Sequence, residues 1–225
     1  MPRLHVVFLL NALAVAAFSQ TNLSPDDVRL RYGVKLGVQA LDSFRTVPGF
    51  NAEESRLVIG GLADLRINDY FGGEFNVLYR RFRFDALIPA TPLQQSVLST
   101  NRANALDFPL LFKWRPLGYR DLAPFVDSGV AFRYINGNET RRFFTGEDRQ
   151  QEFSDSFAQD SRFNVGWVVG GGVDFNRGGG VRITPEIRYT LWGRENFRAA
   201  STVSGSAGVF RSQKDQLEFL LGITF

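Results

Sequence analysis

Through most of this chain apolar and polar residues alternate with a period of two, in segments of about 11 residues, and that spacing confines the fold to strands, because only an extended backbone sends successive side chains to opposite faces. Tyr32, Val34, Leu36, Val38 and Ala40 oppose Gly33, Lys35, Gly37 and Gln39. Leu57, Ile59, Ala63, Leu65 and Ile67 oppose Gly60, Asp64 and Arg66; beyond an Asn68-Asp69 turn, Phe71, Phe75, Val77 and Tyr79 oppose Glu74, Asn76 and Arg80. Leu106, Phe108, Leu110, Phe112 and Trp114 oppose Asp107, Pro109, Leu111 and Lys113, and Val126, Val130, Phe132 and Tyr134 oppose Asp127, Gly129 and Arg133. Phe163, Val165, Trp167, Val169, Val173 and Phe175 oppose Asn164, Gly166, Gly170, Gly172 and Asp174. Val181, Ile183, Ile187, Tyr189 and Leu191 then oppose Arg182, Thr184, Glu186, Arg188 and Thr190, and Leu217, Phe219, Leu221, Ile223 and Phe225 oppose Glu218, Leu220, Gly222 and Thr224. Eight strands are predicted, at about 30–41, 56–67, 70–84, 103–114, 124–134, 163–175, 181–192 and 215–225. Each has the length that a tilted transmembrane strand requires.

The connections alternate in length. Asp42 to Ser55, Asp85 to Arg102, Ile135 to Arg162 and Gly193 to Lys214 are long, whereas Asn68-Asp69, Arg115 to Ala123 and Asn176 to Gly180 are short. Every second connection of an up-and-down barrel lies on the same side, so the long ones share one rim and the short ones the other. That is the layout of bacterial outer-membrane barrels, with long loops outside and both chain ends in the periplasm. Phe71, Phe112, Trp114, Phe175 and Phe225 fall at the turn-side ends, and Tyr79, Phe132, Tyr134, Phe163 and Tyr189 near the loop-side ends, as two bilayer interfaces would select. A soluble sandwich or a lipocalin-like secreted binder shares the strand pattern. It predicts neither the long-short alternation nor two aromatic girdles. The expected fold class is therefore all-β: an eight-stranded antiparallel up-and-down transmembrane β-barrel.

The first residues stand apart. Arg3 leads into the apolar run Val6 to Phe18, broken only by Asn11, and then the small-residue exit Ala17-Phe18-Ser19. This is the three-part plan of a secretory signal peptide, too short to span a bilayer as a helix. The expected domains are a signal peptide at 1–19, cleaved after Ser19, and a barrel at 20–225.

Composition agrees. The chain has 225 residues, 22 of them Phe and 22 Gly, and 14% are aromatic, yet its mean hydropathy is −0.12. A barrel that is apolar outside and polar inside averages to such a value, where a helical membrane protein would be far more apolar. Net charge is +3, and the near balance of signs without a basic motif argues against a nucleic-acid partner. There is no Cys, and the single His, His5, lies in the signal segment, so the mature chain would hold neither thiolate nor imidazole. No metal site and no cofactor is expected.

The strand pattern and the ending Leu217-Glu218-Phe219-Leu220-Leu221-Gly222-Ile223-Thr224-Phe225 resemble the small outer-membrane β-barrel family, the OmpA transmembrane-domain-like and OmpX-like barrels, over Leu30 to Phe225. The resemblance implies that Phe219, Leu221, Ile223 and Phe225 form the terminal signal read by the barrel-assembly machinery. It also implies outer-membrane lipid and lipopolysaccharide as surroundings. No periplasmic peptidoglycan-binding domain is expected after the barrel.

The inward faces carry Lys35, Arg66, Arg80, Lys113, Arg133, Arg182 and Arg188 together with Asp64, Glu74, Asp107, Asp127, Asp174, Glu186 and Glu218. The interior of an eight-stranded barrel is just wide enough for side chains to fill, and unpaired charge there is costly. These residues are read as an ion-pair plug, against the alternative of a charged filter lining a water channel. Outer-membrane phospholipases, lipid A deacylases and proteases resemble one another in needing a catalytic His, so no catalytic residue is expected. Glu139 with Glu147 or Asp148 reads as solvated loop charge. Gly170-Gly171-Gly172 and Gly178-Gly179-Gly180 open no helix and are not phosphate loops; the first is expected at a close approach or bulge, the second at a turn. In the connection Ile135 to Arg162, Arg141, Arg142, Phe143, Phe144, Phe153 and Phe157 alternate with acids. Two readings of it stay open: a surface for an extracellular partner, or strands that continue above the membrane. The expected function is a structural, adhesive or surface-interaction role, with a narrow porin-like channel or hydrophobic-ligand conduit as the alternative.

Overall fold

The alternating segments pair side by side until the last meets the first. In the computed structural model, which describes residues 29–41, 50–52, 56–88, 97–145, 149–156, 162–176, 180–195, 198–203 and 206–225, eight strands form the wall. They are β1 (Arg29–Gln39), β2 (Leu57–Arg66), β3 (Phe71–Ile88), β4 (Val97–Trp114), β5 (Leu122–Thr145), β6 (Phe163–Asn176), β7 (Arg182–Trp192) and β8 (Asp215–Thr224). Each is antiparallel to its neighbours in sequence. β8 returns to β1, from Gly33↔Thr224 to Gln39↔Glu218, and closes an antiparallel barrel of eight strands. Over the stretch that all eight strands share, closure pairs each strand on both sides, the condition for a sheet to cross a membrane. The segment read as a signal peptide lies outside the described residues.

Side chains follow the alternation. Leu110, Phe112, Trp167, Val169, Ile187 and Phe219 are exposed on the outer wall, while their sequence neighbours Leu111, Lys113, Val168, Arg188 and Glu218 are buried within. The aromatic residues meet across strands near both rims. The Phe71 and Phe112 rings stack at 5.5 Å on the turn side, and Tyr134 and Phe163 lie 5.1 Å apart on the loop side.

Turn chemistry sets the short side. The Asn68 carboxamide oxygen accepts from the backbone N–H groups of Tyr70 (2.9 Å) and Phe71 (2.7 Å), which folds the β2–β3 turn back on itself. At the β4–β5 turn, Gly118 takes φ 71°, a conformation that favours glycine. On β6 the inward glycines serve close approach: a Cβ on Gly172 would lie 2.8 Å from the Phe125 ring and 2.3 Å from the Pro185 carbonyl oxygen. The register across β6 and β7 is the same before and after this stretch, Gly172↔Glu186 and Phe175↔Ile183, so it is a close approach and not a bulge.

The strands differ in height. The expected loops 85–102 and 135–162 continue in part as ladder: β3 and β4 stay paired out to Ile88↔Val97, and β5 runs to Thr145, where Arg149–Ser156 pairs back onto it. On β3 Phe82 and Phe84 still alternate with Arg81 and Arg83, whereas from Asn136 to Arg142 β5 has no apolar alternation, so the sequence pattern marks only part of the extension. Phe50–Ala52 adds to the far end of β3, and Arg198–Val203 pairs with Ser206–Arg211.

Candidate functional site

The lumen gathers charge because every inward position of the wall faces the same narrow space. Of the inward residues named from the sequence, all but Arg66 are buried. They fall into three clusters between the loop-side and the turn-side rim.

Near the loop side, Arg80 Nε lies 2.5 Å from Asp107 Oδ2, and the same guanidinium bridges Glu218. Arg133 donates to Asp107 Oδ1 at 2.6 Å and to Gln216 Oε1 at 2.6 Å, and its guanidinium sits 3.9 Å from the Trp192 ring centroid. Trp192 Nε1 donates to the same Gln216 oxygen at 3.1 Å, so an aromatic plate and an amide fix the arginine on two sides.

At mid-lumen, Glu74 draws together three cations: Lys35, Lys113, and Arg188 at 3.1 Å. Glu186 takes Lys35 at 2.7 Å and Arg188 at 2.6 Å. The cluster therefore ties β1, β3, β4 and β7 across the barrel rather than along one ladder. Asp127 is buried in the same region, and neither of its carboxylate oxygens has a hydrogen-bond partner among the described residues.

Toward the turn side, Arg182 Nη1 lies 2.6 Å from Asp64 Oδ2 and 3.5 Å from Asp174 Oδ2, while Thr184 Oγ1 donates to Asp174 Oδ1 at 2.7 Å. Arg115, not among the sequence candidates, completes this cluster, with Nε 2.9 Å from Asp174 and Nη2 3.4 Å from Asp64. Arg66 bridges Asp69 at the β2–β3 turn instead of a lumen carboxylate. The guanidinium carbons of Arg66, Arg115 and Arg182 lie 4.3, 4.6 and 4.8 Å from the Tyr119 ring centroid, within cation–π range. The β4–β5 turn thus folds beneath the lumen with Tyr119 as its seat. Burial, with Asp64 nearby, raises the Tyr119 hydroxyl above its ordinary pKa, so the phenol stays neutral at neutral pH.

A wall apolar outside, charged inside and closed without an edge has one environment that suits it, a bilayer, and residues 18–193 match the family model of the outer membrane protein beta-barrel domain. The chain belongs to that family. As an outer-membrane barrel it sits in the bilayer, with its exposed apolar wall toward lipid. The family match stops short of β8, which the structure supplies by pairing it with both β7 and β1. Among solved structures the barrel is similar to the outer membrane protein OprG from Pseudomonas aeruginosa, at 14% identity over 88% of this chain and 93% of that one, with a TM-score of 0.54. Neisserial surface protein A is similar at 13% identity over 88% and 97% of the two chains, with a TM-score of 0.41. At such identities the likeness is one of fold. No curated protein matches the sequence.

Among the described residues, each lumen carboxylate other than Asp127 is held by a guanidinium or ammonium group. The terminal residues Phe219, Leu221 and Phe225 are exposed on the lipid-facing side of β8, with Ile223 half-buried between them.

Proposed function

We propose that this outer-membrane barrel is non-enzymatic, that the ion-pair clusters plug its lumen, and that it acts at the cell surface through the sheet and loops raised by β3, β4 and β5. The extension of these strands carries the reading. The ladder from Arg80 to Ile88, beyond the loop-side Tyr79, reaches about 30 Å along the strand at about 3.3 Å per residue. A strand that only spans lipid needs no such length. In this reading lipopolysaccharide and lipid surround the wall, and the barrel-assembly machinery reads Phe219, Leu221, Ile223 and Phe225 during insertion.

The test separates surface from lumen. Removing Arg141 to Phe153 and closing the chain with a tight turn between Thr140 and Ser154 takes away the far end of β5 with its return strand and keeps the ladder from Leu122 to Thr140; the shorter closure itself changes the cost by only about 0.6 kcal/mol per doubling of length. The shortened protein should still migrate faster on gels unheated than boiled, and should lose adhesion of whole cells to host-matrix or abiotic surfaces. Unchanged adhesion after the deletion, with loss in Glu186→Gln, would move function into the lumen.

The second reading, a narrow channel, rests on Asp127. A buried carboxylate without a protein partner is a place for ordered water, and a file of water is what conduction needs.

A further inference from the structure

Two loop-side ladders carry like charges at opposed positions, and their signs are opposite. At the raised end of β5 the register sets Glu139 against Asp155 of the return strand Arg149–Ser156. In the hairpin that Arg198–Val203 makes with Ser206–Arg211 it sets Arg198 against Arg211. Like charges directly opposed across an antiparallel pair destabilise it, so each ladder is weak where an opposite charge from elsewhere would strengthen it. The surrounding sequence follows the same division. Residues 146–160 hold five acids and one arginine, whereas 193–214 hold three arginines and a lysine against Glu195 alone.

Backbone pairing is open in both places. Among the described residues the return strand pairs with β5 and with no second strand, and the hairpin forms a two-stranded sheet apart from the barrel wall. A lone hairpin of two strands is at best marginally stable in water. Exposed strand edges are commonly guarded by lysine, by other charges or by proline. Ala199 to Phe210 contains no charged residue and no proline. Each hairpin strand is six residues long and the return strand eight, so one can lie along the other without overhang.

We propose that the hairpin 198–211 of one copy adds as a further strand to the edge of Arg149–Ser156 in a second copy. Main-chain hydrogen bonds would supply the affinity, as in other strand additions. The Arg198–Arg211 pair would meet the Glu139–Asp155 pair and relieve both repulsions. Within one copy the two ladders stand in separate sheets. Each copy carries both halves of the contact, so two copies can exchange hairpins about a two-fold axis. At the cell surface this joins facing outer membranes; the inference rests on the surface role proposed above and names this chain itself as the partner.

The experiment places single full-length barrels in lipid nanodiscs and measures capture of one disc by another at low ionic strength, where charge is least screened. Parent discs should pair. R198E/R211E and E139K/D155K should each pair with themselves at least about tenfold more weakly than the parent does, because attractions become repulsions. A mixture of the two variants should regain pairing, since each hairpin then meets an edge of opposite sign. Parent discs that stay single, or variants that pair with themselves as the parent does, would overturn the proposal. So would a mixture that does not pair, which would place the contact within one copy. Should a double variant lose its heat-dependent gel shift, Arg198→Glu and Asp155→Lys decide in the same mixing. Both faces of a nanodisc are open, so pairing there does not depend on orientation. Protease added to intact cells reads orientation separately. If discs pair but 135–162 is spared, the surface role fails and the contact between copies stands; if 135–162 is cleaved but discs stay single, the contact fails and the surface role stands.

Discussion

The same three strands, β3, β4 and β5, live in two environments. In their lower halves lipid lies on one side and a packed ionic lumen on the other, so every position is specified by which way it faces. In their upper reaches the ladder continues from Arg83 to Ile88 and from Asn136 to Thr145, held by backbone pairing, and residue choice is freer. The difference teaches where this chain tolerates change. Substitution in the lower part costs stability; substitution in the upper part alters what the protein meets.

The largest effect should come from the lumen. Glu74→Leu strips three buried cations of their shared partner, and removing one member of a buried ion group costs about 3–5 kcal/mol. Reversible urea unfolding in lipid vesicles measures it, and a loss under about 1 kcal/mol would mean that water already solvates Lys35 and Lys113. The lipid face comes next. Trp167 is exposed on the outer wall of β6, and Trp167→Arg should cost about 2–4 kcal/mol in the same assay if that position is near the midplane. A cost equal to that of an arginine placed above the membrane would show that the apolar wall does not face lipid.

Smaller effects belong above and below the membrane. Deleting Arg141 to Phe153 should change unfolding free energy by less than about 1 kcal/mol; a larger loss would make the raised sheet part of the stability core. The smallest change is expected at Asp69, exposed at the turn in its pair with Arg66. Asp69→Asn should shift stability by no more than about 0.5 kcal/mol, since exposed pairs contribute little.

Strand order and facing were legible because a sheet between lipid and a charged lumen imposes opposite chemistry on alternate residues. Lys35, Glu74 and Glu186 could each be placed inward from their neighbours alone, although which of them meet could not, since contacts across the lumen depend on stagger that no single strand encodes. Arg115 and Tyr119 were missed because they belong to a turn, where no period applies and only the folded chain shows them reaching back beneath the lumen. Trp192 was missed although it shares the inward parity of Arg188 and Thr190, because the inward set was read for its ionisable residues and an aromatic one that holds Arg133 gives no charge to notice. Arg66 carried the right parity but sits within reach of Asp69, a nearer carboxylate than any in the lumen. The height of β5 was only partly legible: strands continuing into 135–162 stood as one of two open readings, because from Asn136 to Arg142 polar residues and one glycine fill both parities and no alternation marks the ladder.

Single-channel recording in planar bilayers tests the sealed lumen most directly. With the three clusters paired as described, the parent protein should show no steady conductance above the bare membrane, and Glu186→Gln, which leaves Lys35 and Arg188 short of a partner, should introduce at most brief openings. A steady conductance in the parent that Glu186→Gln or Arg182→Gln abolishes would contradict the plug and establish a channel.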